Sequence, residues 1–489
     1  MSLNRRGFLA GAGAWPLLHC GSLPISPPDS SLVVNDVQTG LNPTRVERIL
    51  RPTSIDELRE LVRDCAKKNK PICTSGSRHA TGGQQFAEEA TLVDMRKLAR
   101  VTDLNSTTGI LQVEAGVEWP ELVQGYLRLQ PDSPVWGIRQ KQGGADRMSI
   151  GGALAANAHG HGLGIPPIAS DVEWIDLLTA DGAIQRCHRK RNQELFSLAI
   201  GGYGLFGIIA SVGLRLSPRR KLRRRVETRT LPEAMRLVDS RTKAGSPYGY
   251  FQYAISETSP DFLRSGILTT YEPAPENSQV AESTDAGEVA LEYLLELAHS
   301  DPEAAYRKYA TLELQRDGNV EWSDLHQLSS YPAGYHQKID SHRPDKAGTD
   351  LILEVYVPRN QLIAFAEDAR YQLLKTGISL VYGTVRFIEK DKDSFLAWAK
   401  KSYACVIFTP HVGADPMEME KTQRLCRHLE QSATRRGGSF YLTYNRFATR
   451  SELDSAYPQF STFLALKRRY DPTELFQSEW YRFYKKSYA

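Results

Sequence analysis

The residues best placed to do chemistry sit among glycines. Residues 74–86 read TSGSRHATGGQQF, residues 148–164 read MSIGGALAANAHGHGLG, and residues 195–218 read LFSLAIGGYGLFGIIASVGLRLSP. Glycine admits positive φ and close backbone approach, so successive N–H groups can turn toward one phosphate oxygen. No segment is a P-loop, and none is a dinucleotide fingerprint of strand, helix and an acidic residue about 20 positions on. Each alone also suits a plain turn. Together, with His79 inside the first, they point to a long phosphate-bearing ligand held along its length. His159 and His161 are two apart but have no neighbouring carboxylate or cysteine cluster, so no metal centre is expected.

The elements that must position these loops can be read from spacing. Ser54-Ile55-Asp56-Glu57 is a capping box, and Ile55, Leu58, Leu61, Val62 and Cys65 follow at helical spacing. A second helix is expected from Trp119, with Pro120 at its first position. Short β-rich runs lie at 91–93, 109–113, 172–178 and 208–216. Strands and helices mixed in this irregular way predict an α+β fold. The dense basic run 218–225 (PRRKLRRR) reads as a solvated connector or, alternatively, an anion site. Beyond it, strands at 249–255, 351–357 and 379–385 and helices at 287–299 and 361–375 form a second α+β unit, with 272–287 a loop.

The ordered combination SGSRH, GGQ, SIGGALAANAHGHG and GGYGLFGIIASVGLRLSP, with KRRYDPTELFQSEWY near the end, resembles the vanillyl-alcohol-oxidase, PCMH-type FAD-binding proteins. Within that group it is most similar to alditol oxidase and the aldonolactone oxidoreductases. The resemblance implies two domains: an FAD-binding domain at 43–218, rejoined by 441–489, and a substrate domain with an antiparallel sheet at 219–440. It places Ser75, Gly76, Ser77, Arg78, His79, Gly82, Gly83 and Gln84 in the loop around the FAD pyrophosphate. Ser149, Gly151, Gly152, Asn157 and His159 then line the flavin, and Ile208 and Ile209 pack on the adenine side. His79 occupies the place from which relatives bond the flavin 8α-methyl covalently; a neutral imidazole is the right nucleophile for that carbon. No cysteine stands where a second link would form. Alanine at 158 leans toward a dehydrogenase.

On the substrate side, sugar-oxidising relatives carry Glu-x-Arg on one strand. The acid handles the hydroxyl proton, and the arginine stabilises developing negative charge. Here Arg386 matches, but Thr384 replaces the acid. Glu354 or Glu389 can supply the carboxylate, and His411 is a competing base. Tyr444, Asn445 and Arg446 are hydrogen-bond candidates. The implied reaction is oxidation of a CH–OH group in a polyol, sugar or sugar lactone, with electrons passing to oxygen or a quinone. Alternatives are an amine or aromatic alcohol on the same scaffold, as in cytokinin dehydrogenase, or a flavin-binding protein without turnover.

Asn4-Arg5-Arg6-Gly7-Phe8-Leu9 and the apolar run after it resemble a twin-arginine export signal, followed by a Pro/Ser-rich tether, so residues 1–30 predict a periplasmic protein. Leu17-Leu18-His19-Cys20 resembles a lipoprotein box with His19 where a small residue is expected, leaving open a lipid anchor and peripheral membrane attachment. The 489 residues are 41% hydrophobic and 24% charged, which excludes a disordered or collagen-like chain. A net charge of +4 provides no broad field for nucleic acid. The six cysteines form no CxxC, and no run reaches the roughly 20 apolar residues of a membrane span.

Overall fold

Capping chemistry starts the first helix where expected. In the computed structural model, Ser54 accepts a hydrogen bond from the Glu57 N–H, and Ile55–Lys67 follows with Leu58, Val62 and Cys65 buried. The structure describes residues 32–132, 134–281, 287–329, 335–342 and 347–489, so the export signal and Cys20 lie outside the described residues. Residues 32–489 cluster as one unit of mixed helix and sheet.

A three-stranded and a five-stranded sheet carry most of the first part of this unit. Strands Arg48–Leu50, Thr91–Asp94 and Ile72–Ser75 pair in parallel, in that spatial order. The last of them feeds the glycine loop at 76–83. A five-stranded antiparallel sheet takes the order Ile184–Cys187, Val172–Leu178, Ile208–Arg215, Ile110–Glu114 and Val101–Asn105. Its central strand, Ile208–Arg215, is buried along all but its last residue, so its β-branched run packs on both faces.

A nine-stranded antiparallel sheet dominates the rest. Its order is Val320–Trp322, Lys221–Thr230, Ser265–Pro273, Tyr248–Tyr253, Leu380–Ile388, Tyr403–Gly413, Leu353–Pro358 and Ser439–Phe440, with Gly348–Asp350 also pairing on Tyr403–Gly413. The basic run is therefore not a solvated connector. It enters the strand Lys221–Thr230, where Arg224 is 2% exposed and bonds Glu313. Arg219 meets Asp324 at 2.8 Å, and Arg225 meets Glu272 at 2.8 Å. Carboxylates from distant segments neutralise these guanidiniums, which composition alone does not reveal and which leaves them no anion to seek. The expected loop 272–287 likewise begins two residues late, after Pro273, because Ser265–Pro273 pairs with Leu222–Thr230 of that strand.

The C-terminal segment returns to the parallel sheet. The Ile72 N–H donates to the Leu475 carbonyl at 2.7 Å, and the Gln477 N–H donates to the Ile72 carbonyl at 2.8 Å.

Candidate active site

A cleft of about 110 Å³ opens where the glycine segments meet. Its walls are the strand end Thr74–Ser75 with Gly76, then Ala80, Gln84 and Gln85, then Ser149, Gly151, Gly152, Ala155 and Ala156. Tyr203, Gly204 and Gly207–Ile209 close one side, and Thr443 contributes from the C-terminal segment. The walls meet tightly at Gly76: a Cβ there would lie 2.0 Å from Ser149 Oγ, so only glycine lets the loop pass the start of the helix Ile150–Ala155. Around the cleft, Arg78, Asn157 and Tyr203 hold positive φ (65°, 51° and 54°). Such strain persists only where the surroundings over-determine it.

Beside Ala156 and Thr443 lies a buried polar cluster, tied to both. The Tyr441 hydroxyl donates to the Ala156 carbonyl at 2.8 Å, and the Tyr444 hydroxyl reaches Glu354 Oε2 at 3.4 Å. Strand register assembles the rest. Tyr356 faces Cys405, which faces Arg386; two residues along, Glu354 faces Ile407, which faces Thr384. Alternation of side chains puts Glu354, Tyr356, Cys405 and Arg386 on one face of the sheet. His159 arrives from the second glycine segment, with Nε2 at 2.5 Å from Glu354 Oε1 and 3.9 Å from Cys405 Sγ. Tyr356 also bonds Glu354 Oε1 and stacks on Trp398, ring centroids 4.3 Å apart.

The electrostatics follow from this packing. Burial pushes the Glu354 carboxyl up, but His159, Tyr356 and Arg386 outweigh it and hold the group below its ordinary value. Two lone pairs cannot meet at 2.5 Å, so His159 and Glu354 share a proton. Burial opposes the charge on Arg386, yet Tyr382, Cys405 and Glu354 hold its pKa above the ordinary value. Its Nε is buried with no hydrogen-bond partner among the described residues. Its guanidinium packs where a Cβ on Gly143 would sit, 2.4 Å away. Burial pushes the Cys405 thiol up and, with Arg386 nearby, drives His161 well below its usual value, so both are neutral.

The FAD-binding-domain family matches residues 46–188, the stretch that contains the first two glycine segments. The chain carries an FAD-binding domain. It is similar to an uncharacterized oxidoreductase of the fasciation locus of Rhodococcoides fascians, at 30% identity over 172 residues, 35% of this chain and 37% of that protein. It is also similar to L-gulono-1,4-lactone dehydrogenase of Mycobacterium tuberculosis, at 23% identity over 442 residues, 89% of this chain and 95% of that protein. Among solved structures, a solvent-stable cholesterol oxidase shares the fold, with a TM-score of 0.69 at 13% identity, covering 92% of this chain and 96% of that one. The protein is an FAD-dependent oxidoreductase of PCMH-type fold.

The residues that line the cleft suit that cofactor. Thr74 Oγ1 and Ser75 Oγ are buried in its wall with no hydrogen-bond partner among the described residues, as donors awaiting a polar ligand would be. Ser75, Gly76, Gln84, Ser149, Gly151, Gly152, Ile208 and Ile209 all line it. The other expected contacts lie off it. The Ser77 hydroxyl donates to Glu118 at 2.6 Å, and Arg78 lies 3.9 Å from Asp94. The Gly82 N–H donates to Gln84 Oε1 at 3.0 Å, and Gly83 packs beside Asn42 and Glu479. Asn157 is fully buried, its amide donating to Asp391 at 2.8 Å and accepting from the Ala169 N–H, so it ties segments together. His79 follows the cleft loop, its Nε2 3.0 Å from the Arg147 carbonyl, and burial lowers its pKa, keeping the imidazole neutral.

Of the expected acid–base residues, the structure brings Glu354 and Arg386 together. Glu389 instead pairs with Arg359 at 2.7 Å, and Thr384 bonds the Phe251 carbonyl. His411 lies four positions beyond Ile407 on the same strand, bonded to Asp350 at 2.8 Å. Asn445 and Arg446 bond backbone carbonyls of Ile352 and Glu479. Sequence reasoning missed Tyr203, Thr443, Tyr356, Cys405 and Trp398. Only Cys405 carried a signal, as the polar-capable side chain within the apolar run 404–408, and nothing in the sequence tied it to His159.

Proposed function

We propose that the protein oxidises a CH–OH group of a sugar lactone or a related sugar or polyol, the substrate sitting between the cleft and the Glu354 cluster. The observation that carries this reading is the buried His159–Glu354 pair sharing a sheet face with Arg386. Bound FAD supplies the hydride acceptor. Glu354, ionised and desolvated, accepts the hydroxyl proton on Oε2 and becomes the neutral acid, while Oε1 keeps its hydrogen bond with His159. Arg386, with an uncommitted Nε, stabilises negative charge that develops on the substrate oxygen or beside it. Tyr356, Trp398 and Tyr441 wall off water. The likeness to an L-gulono-1,4-lactone dehydrogenase along 89% of the chain supports the substrate class.

In this reading residues 43–218 and 441–489 hold FAD, and 219–440 supply the substrate side. His79 bonds the flavin covalently, supported by its loop position and its neutral ring. Electrons leave to oxygen or a quinone. Residues 1–30 direct export to the periplasm, with membrane attachment through Cys20. Replacing Arg5 and Arg6 by lysine is expected to hold the protein in the cytoplasm; unchanged periplasmic accumulation counts against export by this route. The reaction is tested by anaerobic mixing with L-gulono-1,4-lactone and a panel of lactones, sugars and polyols, following flavin absorbance at about 450 nm. Bleaching with a member of the panel is expected. A flavin that stays oxidised with all of them, yet bleaches with an amine or aromatic alcohol, overturns the assignment.

A further inference from the structure

A second group of convergent side chains lies along the same strand, about 13 Å from the residue facing Glu354 at 3.3 Å per residue. Asp350, fully buried, meets three side chains among those described. His411 Nδ1 lies 2.8 Å from its Oδ1, His299 Nε2 lies 3.1 Å from the same oxygen, and the Tyr335 hydroxyl donates to Oδ2 at 2.6 Å. The His299 and His411 rings stand nearly perpendicular, 85° apart, with centroids at 4.8 Å.

Hydrogen-bond logic makes this arrangement unusual. His299 Nδ1 lies 2.7 Å from the Leu295 carbonyl, which can only accept, so Nδ1 carries the proton. In a neutral ring Nε2 is then a bare lone pair aimed at a carboxylate oxygen. Two acceptors at 3.1 Å repel unless a cation lies between them, either a second proton on His299 or a metal ion. A backbone carbonyl fixing the far nitrogen is the usual outer support of a metal-bound histidine, and a hydroxyl on the spare carboxylate oxygen plays the same part for the acid. His411 Nε2 is buried with no hydrogen-bond partner among the described residues, so Asp350 is the ring's hydrogen-bonding contact there.

The spacing fits an ion as well. A metal about 2.0–2.2 Å from each donor sets donor–donor edges of about 2.8–3.1 Å on an octahedral face. The two edges to Asp350 Oδ1 are 2.8 and 3.1 Å, and the three donors all lie within 4.8 Å of one another. Two histidines and one carboxylate on one face form a known set for a divalent transition-metal ion.

We propose that His299 Nε2, Asp350 Oδ1 and His411 Nδ1 bind a divalent transition-metal ion, which displaces the Nε2 proton of His299 to solvent. The ion pins the helix Gly287–Ser300 to the strands Gly348–Asp350 and Tyr403–Gly413 of the large sheet. This site is separate from the His159, Glu354 and Cys405 group, whose donors also approach one another, and it does not depend on the substrate assignment.

The test uses the full flavin-loaded protein, stripped with chelator and titrated with zinc chloride at about pH 8, on the alkaline side because, against the effect of burial, Asp350 raises the His299 pKa above its ordinary value. About one zinc per chain retained through gel filtration is expected. Affinity should fall by more than about 100-fold in Asp350→Asn and His299→Gln, beyond what loss of an outer support costs, and by about 10–100-fold in Tyr335→Phe. The flavin spectrum of each variant reports its folding. X-ray absorption of zinc bound to the wild-type chain settles the ligands even if variants fail to fold. Nitrogen and oxygen scatterers with an imidazole signature support the site. A sulfur at about 2.3 Å assigns the zinc to Cys405 and overturns it, as does a wild-type chain that keeps no zinc.

Discussion

Glu354→Gln separates proton transfer from everything else the site does. Glutamine has nearly the same shape, so its carbonyl oxygen can still accept from Tyr356. What it loses is the charge that His159 and Arg386 hold in place. Deleting a general base typically removes about 10²–10⁴-fold in rate, or roughly 3–5 kcal/mol of barrier at about 1.36 kcal/mol per tenfold. FAD loading should survive, because Glu354 does not line the cleft. The assay is anaerobic stopped-flow reduction of the flavin by the bleaching lactone, repeated across pH. The folded carboxyl lies below its ordinary value of 4.5, so the wild-type base is fully present above that value. It is lost only as pH falls through the depressed one. The variant should lack that acidic limb altogether. Reduction within about threefold of wild type, or an acidic limb that persists in the variant, would refute the assignment of Glu354 as base.

Arg386→Ala should slow flavin reduction by about 10²–10³-fold, the usual cost of removing one charge-stabilising donor; an unchanged rate separates Arg386 from the chemistry. Gly76→Ala forces a methyl to 2.0 Å from Ser149 Oγ. Measured FAD content should drop and the melting temperature should fall by the equivalent of about 1–3 kcal/mol of overpacking; normal loading shows that the loop can move aside. Burial, reinforced by Glu452, pushes the Glu430 carboxyl from 4.5 up to about 8. Stability from this group is complete below about 4.5 and is lost as pH rises toward 8, at roughly 1.36 kcal/mol per unit. Glu430→Gln should therefore melt higher than wild type near pH 8 and show little gain near pH 5; equal gains at both remove Glu430 from that pH dependence. Acid precipitation of the wild-type protein should leave the yellow colour in the pellet, and His79→Ala should release it to the supernatant; colour in the wild-type supernatant rules out the covalent link.

How much of this was legible depended on the range of the interaction. The Ser54 cap and the helix from Trp119 rest on contacts a few residues apart, and the strands near 91, 110, 172 and 208 show in local β-rich composition although most of their ladder partners are distant. The strand Tyr403–Gly413 and the helix Pro416–Arg435 went unread. The strand is buried over most of its length and shows no alternation, and the helix lies in a charged stretch where solvation is the simpler reading. The arginines of 219–225 misled for a related reason: their carboxylate partners come from 272, 313, 321 and 324.

The glycine segments and their order pointed to a long phosphate-bearing ligand, because backbone room for a diphosphate follows from residue type, and their resemblance to a known family made that ligand a flavin. The missing acid of Glu-x-Arg was visible as a gap at Thr384. Its replacement was not, since Glu354 reaches Arg386's sheet face only through the register of three strands, and His159 meets it across 195 residues of sequence. Register is set by summed packing over the whole sheet, which a single stretch of sequence does not encode. Long-range pairing therefore decided which of several plausible acids and bases form the site.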